Sequence, residues 1–480
     1  MKNISHDFFL GIDQGTQSSR AIVFNHKGEV IAKAQAAVSI RNIPKIKVEQ
    51  DGVEILHSIT SCLQNIFKEI NPERIKSAGL ATQRSSIIAW DRHTGNPLSP
   101  ILSWRDRRAM DFIQSLQTYK NLIQKKTGLR LTAYYGASKM RWLLNNNSAV
   151  KNALNKQTLH IGPLASYLIF SLCRNKPYLV DHANALRTQL LNLETLDWDD
   201  ELFNIFELPQ NILPQVVPTR FDYGALNKTD IPLRSVNGDQ TAAMYSLGKT
   251  QKDEVLVNLG TGGFVLYPIE NDKIIPDGLL GGISASKNHQ CERLIEGTIN
   301  GCGSALNWYR EKISQKDFFD IDKCLQNFKG KIIFANGING LGSPYWKELT
   351  PNFIALVDFK TIPHPPESQA VAAIVESIIF LVQININQIK KAGNIKSIRL
   401  TGGLANSKAV CQLLADLSGL TVMRPDMTEA TARGSAWLAS ELDEPWPAGS
   451  ETQYYTPMPN PLLQSRFQQF YEFLTNSLQE

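Results

Sequence analysis

Phe8-Phe9-Leu10-Gly11-Ile12-Asp13-Gln14-Gly15-Thr16-Gln17-Ser18-Ser19-Arg20-Ala21-Ile22-Val23-Phe24 is an apolar run, a tight polar turn and a second apolar run. That order is the signature of a β-hairpin. It returns far down the chain at Val255-Leu256-Val257-Asn258-Leu259-Gly260-Thr261-Gly262-Gly263-Phe264-Val265-Leu266-Tyr267. Both turns read Asp/Asn-x-Gly-Thr. Glycine lets the backbone approach an anion closely, and successive N–H groups with a Thr hydroxyl can wrap phosphate oxygens. One such hairpin in each half predicts two related domains holding one polyphosphate, and hence an ATP-using enzyme.

Working outward, 480 residues exceed what one core usually supports, so two domains are expected. The formal charge of +5 comes from 50 basic and 45 acidic residues spread along the chain, too mild and too mixed to predict a nucleic-acid partner. Six cysteines show no Cys-x-x-Cys pair or regular spacing, which predicts free thiols in a reducing compartment. The apolar run after Asp7 is too short for a signal-peptide core. Ala370 to Ile389 is apolar but broken by Glu376, and reads as a buried helix rather than a membrane span. A cytoplasmic protein without a membrane partner is expected.

Strands are predicted at 7–12, 19–25 and 29–36, a helix over 51–69, and strands at 75–83 and 86–91. The second half restarts with the hairpin at Thr261 and ends in a strand at 397–401, a helix after Gly403 and a strand at 421–424. Strands alternating with helices give an α/β fold, the first three strands forming an antiparallel edge. The domain boundary is placed at Gly248, giving domains 1–248 and 249–480.

Each chemistry-bearing residue has a plain reading beside its functional one. Asp13 could satisfy turn N–H groups, or hold Mg2+ beside phosphates. Asp239, in Asn237-Gly238-Asp239-Gln240-Thr241, is placed at the N-cap of a helix. Capping alone explains such an Asp; a base taking the proton of a substrate hydroxyl is the other reading. Thr401-Gly402-Gly403-Leu404-Ala405-Asn406-Ser407 could be a plain strand-to-helix loop or could offer polar groups to a nucleotide. Trp104 with Arg84 suits a sugar or polyol pocket, whereas Arg105 to Arg108 read as a solvated charge cluster. No Gly-x4-Gly-Lys-Ser/Thr motif occurs, which excludes a P-loop enzyme.

Together these motifs resemble the FGGY family of carbohydrate kinases, and within it the glycerol kinases, over nearly the whole chain. Gly11-Ile12-Asp13-Gln14-Gly15-Thr16, Val48-Glu49-Gln50-Asp51, Trp104 with Arg107-Arg108, and Asp181-x-x-Asn184-Ala185-x-Arg187-Thr188 carry the first half of the resemblance. Gly238-Asp239-Gln240, Gly260-Thr261-Gly262, Glu296-Gly297, Ser343-Pro344-Tyr345-Trp346 and Gly402-Gly403 carry the second. The resemblance implies an actin-like, ribonuclease-H-like duplicated fold with ATP and Mg2+ in a cleft. It implies that Thr16, Gln17, Ser18 and Arg20 meet the transferred phosphate. Thr261, Gly262, Gly303, Asn307, Gly402, Gly403, Asn406 and Ser407 would hold the nucleotide, and Asp13 with Asp239 the metal. Arg84, Ser85, Trp104, Tyr134, Asp239, Gln240 and Phe264 would bind the small polyol or sugar, with Asp239 as catalytic base. A homodimer or homotetramer is left open.

Three departures stand out. Glycerol kinases carry Glu after the pocket Arg, where this chain has Ser85; Gly136 replaces Ser, Thr or Pro; and Gly224-Ala225-Leu226-Asn227-Lys228-Thr229-Asp230 replaces a Gly-rich, Arg-bearing effector loop. Ser85 bears on the acceptor and not on phosphoryl transfer. Glycerol is therefore expected only slightly ahead of a tetritol, a pentitol or a ketopentose as acceptor. An actin- or Hsp70-like nucleotide-switched binding protein and a kinase whose pocket has fallen out of use are the other readings.

Overall fold

The computed structural model describes residues 8–43, 46–315, 317–427 and 429–479. The chain forms two compact units. The first comprises Met1–Thr250, Gly281–Arg293 and Glu429–Pro447; the second comprises Gln251–Leu280, Leu294–Thr428 and Ala448–Glu480.

In the first unit, β1 (Phe8–Gln14) and β2 (Ser18–Asn25) form the expected hairpin, and β3 (Val30–Ala37) extends it antiparallel. On the other side of β1, β4 (Ile75–Thr82) and β5 (Leu233–Gly238) run parallel to it, giving the order β5-β4-β1-β2-β3. Every residue of β1 is buried because both faces are covered. Phe8, Leu10 and Ile12 share a core with Ile55, Ile59, Cys62 and Ile66 of helix α1 (Gly52–Glu69). That helix starts where the sequence puts it, since Asp51 accepts the Val53 and Glu54 N–H groups as N-cap.

Gly11 of β1 and Ser77 and Gly79 of β4 face the late helix α6 (Ala430–Ser440), and they are small because the helix lies directly on them. A Cβ on Gly11 would lie 2.1 Å from the Ala432 carbonyl oxygen, and one on Gly79 2.0 Å from that of Ser435. Ser77 donates to the Ala439 carbonyl at 2.7 Å. This packing draws 429–447 into the first unit. The units are therefore not the two continuous stretches expected from the sequence, although the main cut, at Thr250, falls close to the expected one.

The second unit repeats the hairpin plan. β6 (Glu254–Leu259) pairs antiparallel with β7 (Gly263–Ile269) and parallel with β8 (Ser397–Thr401). β9 (Thr421–Arg424) runs parallel to β8, and β10 (Gln453–Tyr455) closes that edge antiparallel. The apolar segment at 370–389 belongs to α4 (Glu367–Ile389), whose most apolar window is 94% buried in this unit's core, as expected. Its Glu376 is neutralised by a bidentate pair with Arg466.

Candidate active site

The register of the first sheet gathers the predicted residues at one edge. Asp13 lies opposite Ala81 and Ala81 opposite Asn237; one step on, Gln14, Thr82 and Gly238 line up. Asp13, Arg84 and Asp239 therefore leave the carboxyl ends of three adjacent parallel strands, where α/β sheets present ligand-binding groups. Helix α3 (Asp239–Met244) begins there. Asp239 is its first helical residue and not the cap, which corrects the sequence reading: Gly238 occupies the cap and Asp239 Oδ1 accepts the Gln240 N–H at 2.8 Å. The cap must be glycine because Arg84 lies against it. A Cβ there would come within 2.5 Å of Arg84 Cδ. The Arg84 guanidinium Nε stands 3.7 Å from Asp239 Oδ1, with the arginine side chain 8% and the carboxylate 27% exposed. A protected cation thus faces a carboxylate that a substrate can still reach.

Trp104 and Tyr134 form the aromatic side, their rings meeting edge to face at 5.6 Å. Trp104 Nε1–H donates to Thr16 Oγ1 at 2.9 Å, linking this wall to the first hairpin turn. A buried glutamine network behind the turn fixes both. Gln83 Nε2 donates to Gln14 Oε1 at 3.1 Å and Gln50 Oε1 at 2.9 Å, and Gln50 Nε2 donates to the Thr16 carbonyl at 2.9 Å. Ser86 Oγ donates to Gln83 Oε1 and accepts the Trp104 backbone N–H, each at 3.0 Å. Ser85 Oγ and Gln240 Oε1 are buried without a hydrogen-bond partner among the described residues. Ser85 is 3% exposed and its φ is 63°, a left-handed conformation that is costly for a residue other than glycine.

Asp13 is 6% exposed and paired with Arg20 at 3.1 Å. Burial pushes its carboxyl up to about 7; the Arg20 guanidinium pulls the other way, and the negative charges of Asp239 and Glu429 add to the rise. A group held near neutral by burial and by two acidic neighbours is one whose ionised form gains most from an added cation. Among the described residues no cluster of three or more His, Cys, Asp or Glu makes an all-protein metal cage. Mg2+ bound by one or two carboxylates and substrate phosphates needs none, so Asp13 and Asp239 fit that role. Gln17 is exposed at the hairpin tip, with Thr16 and Ser18 half-buried.

In the second unit, Thr261, Gly402, Gly403, Asn406 and Asn307 are all exposed, and Gly262 and Gly303 half-buried. Gly303 N–H donates to the Gly260 carbonyl at 2.9 Å and Ser304 N–H to that of Thr261 at 3.0 Å. These bonds set the start of the Gly303–Lys312 helix against the second turn. Gly402 has φ 93° and stands on Leu259, whose carbonyl oxygen a Cβ would approach to 2.5 Å; Gly403 has open space instead. Ser407 is buried and already committed. Its hydroxyl accepts the Val410 N–H at 3.1 Å, capping α5 (Lys408–Ser418), and hydrogen-bonds Asp322. Phe264 is the one expected acceptor residue that belongs to the second unit.

The Arg105–Arg108 segment needs correcting. Asp106 is fully buried and Arg108 nearly so, joined at 2.7 Å, because Asp106 also accepts the Val48 N–H and Arg108 reaches Glu49. Only Arg105 and Arg107 are exposed. The sequence reading also missed Glu429, which pairs with both Arg20 and Lys33 and carries no local signal. It missed the buried Lys139, whose helical spacing to Gly136 and Leu143 puts it on an apolar face.

A two-domain, actin-like ATPase fold with a carboxylate, a cation and an aromatic wall at one sheet edge defines a phosphotransferase. Residues 8–243 match the N-terminal domain, and residues 255–441 the C-terminal domain, of the FGGY family of carbohydrate kinases. The chain belongs to that family, and is an ATP-dependent carbohydrate kinase acting on a small sugar or polyol. Similar proteins include glycerol kinases of Halothermothrix orenii (32% identity; 92% of this chain, 90% of the relative) and Natranaerobius thermophilus (31%; 90% and 89%). Among solved structures, Plasmodium falciparum glycerol kinase with ADP superposes with TM-score 0.86 at 23% identity, and Lactobacillus acidophilus xylulose kinase with 0.84 at 20%. Each covers 98% of both chains.

Proposed function

We propose that the acceptor is a small polyol, glycerol first, and that Asp239 takes the proton of the hydroxyl receiving the γ-phosphate of ATP. The observation that carries this reading is the Arg84–Asp239 pair at the sheet edge, beside an aromatic wall tied to the Thr16 turn. Arg84 orients the acceptor and faces the Asp239 carboxylate; Trp104 and Tyr134 exclude water from one side. Thr16, Gln17, Ser18 and Arg20 receive the moving phosphoryl group. Thr261, Gly262, Gly303, Asn307, Gly402, Gly403 and Asn406 hold the nucleotide, Ser407 contributing through its backbone and its cap. Asp13 and Asp239 would hold Mg2+, which supplies neutralisation of the phosphate oxygens when bound.

Several relatives are named glycerol kinases, which supports glycerol. A second reading, a tetritol, a pentitol or a ketopentose, is supported by Ser85: its short side chain leaves a buried hydroxyl unpaired, and a longer acceptor could satisfy it. A cytoplasmic setting accords with six cysteines that are all free. Steady-state ADP release over a panel of polyols, ketoses, aldoses and sugar acids with ATP and Mg2+ tests the reading. Turnover fastest with an acidic sugar, or with none of the panel, overturns it.

A further inference from the structure

Lys139 lies in the helix α2 (Gly136–Asn146), fully buried, and no carboxylate among the described residues bonds it. Its Nζ donates to two backbone carbonyls, Ser85 O at 2.9 Å and Tyr134 O at 2.7 Å. One belongs to the residue with the left-handed backbone and the unpaired hydroxyl; the other belongs to the aromatic wall. The ammonium also stands 5.9 Å from the centre of the Tyr134 ring. A buried ammonium carries a desolvation cost, which its bonds to the two carbonyls offset. It gains meaning from what it joins: the loop leaving β4 and the turn entering α2, the two backbone segments of the acceptor pocket.

We infer that Lys139 is a positioning residue for the acceptor site, its ammonium clamping Ser85 and Tyr134 in the arrangement that receives the acceptor. This rests on the acceptor site proposed above. Nothing in the clamp touches the phosphoryl group, so its effect falls on acceptor affinity and not on nucleotide affinity. The clamp also responds to protons. Burial lowers the Lys139 ammonium to about 7, Asp106 opposing this and Arg108 and Arg107 adding to it. Asp106 already serves Arg108 and the Val48 N–H, so it does not act as a dedicated counter-ion. Strands 87–91 and 159–163, packed on this helix, present Ile87, Ala89 and Ile161 to the same core. The charged form is present below about pH 7 and lost above it. Charged donors bind carbonyls more strongly than neutral ones, so acceptor affinity falls as pH rises through neutrality.

The test compares wild type and Lys139→Met by calorimetric binding of the acceptor alone and by KM for acceptor and for ATP, from pH 6 to 9. Met fills the space without a charge, and thermal melting confirms folding. The expected result is a rise in acceptor KM of roughly ten-fold or more at pH 6.5. The ATP KM stays unchanged, and the wild-type weakening of acceptor binding above neutrality is absent from the variant. The Asp13 titration, which also falls near neutrality, is common to wild type and variant, so only the part of the pH dependence that Lys139→Met abolishes belongs to the clamp. Unchanged acceptor affinity in Lys139→Met overturns the inference, as does wild-type binding that is flat across neutrality. Neither outcome bears on the function reading, which stands or falls on wild-type turnover with the panel.

Discussion

Gly238 shows how a residue without a side chain can shape its surroundings. Its missing side chain is what lets Arg84 reach Asp239. Gly238→Ala should push Arg84 aside and raise acceptor KM about ten-fold, while the melting temperature falls by only a few degrees. A variant with wild-type KM would show that the arginine has another route to its place. Asp13 makes a pH prediction. Its folded pKa is raised above the ordinary carboxyl value, so the folded state holds the proton more tightly than the unfolded chain. Stability from this group is complete below about pH 4 and is lost as pH climbs to about 7. Asp13→Asn should therefore melt above wild type at pH 8 without metal, with the gap closing toward pH 4. A gap of the opposite sign would mean that the Arg20 pair outweighs burial.

The elements differ in how far they were legible. The strands at 397–401 and 421–424 and helix α1 fall where the apolar pattern and the Asp51 cap put them, because local signals decide them. The place of α6 in the first unit was not legible. What seats it there is the fit of Ala432 and Ser435 onto Gly11 and Gly79, residues hundreds of positions away, and no local pattern encodes that contact. Gly79→Ala should accordingly cost about 3 kcal/mol or more, since backbone meets the new methyl and cannot give way. Chemical denaturation checks this, and a loss under 1 kcal/mol would show a looser seat. Gly403 offers the converse test in the second unit. Open space surrounds it and its backbone needs no glycine, so Gly403→Val should leave stability within about 0.5 kcal/mol of wild type. Nucleotide KM should rise at least several-fold if nucleotide lies on that turn. Unchanged KM would remove Gly403 from the nucleotide site.

At the scale of the whole molecule, the two hairpins announced the duplication, and each unit indeed sets an antiparallel hairpin beside a parallel strand. The hairpins are not copies. Four residues separate the paired Gln14 and Ser19, whereas three separate Leu259 and Gly263. Asp13 in the first stands where the neutral Asn258 stands in the second, and Asn258 donates to Thr401 at 3.1 Å. One turn thus carries a charge suited to metal and the other only backbone and hydroxyl groups. The reaction class was legible in that pair; the contacts of Lys139 with Ser85 and of Gly238 with Arg84 were not, because they join residues far apart in the sequence. The most direct test is acceptor-dependent ADP release with ATP and Mg2+, wild type beside Asp239→Asn, with nucleotide binding measured on both. The account predicts turnover with a small polyol that falls roughly 10²–10⁴-fold in the variant while nucleotide affinity is kept. Wild-type rates in Asp239→Asn, or ADP release that no polyol or sugar stimulates, would contradict it.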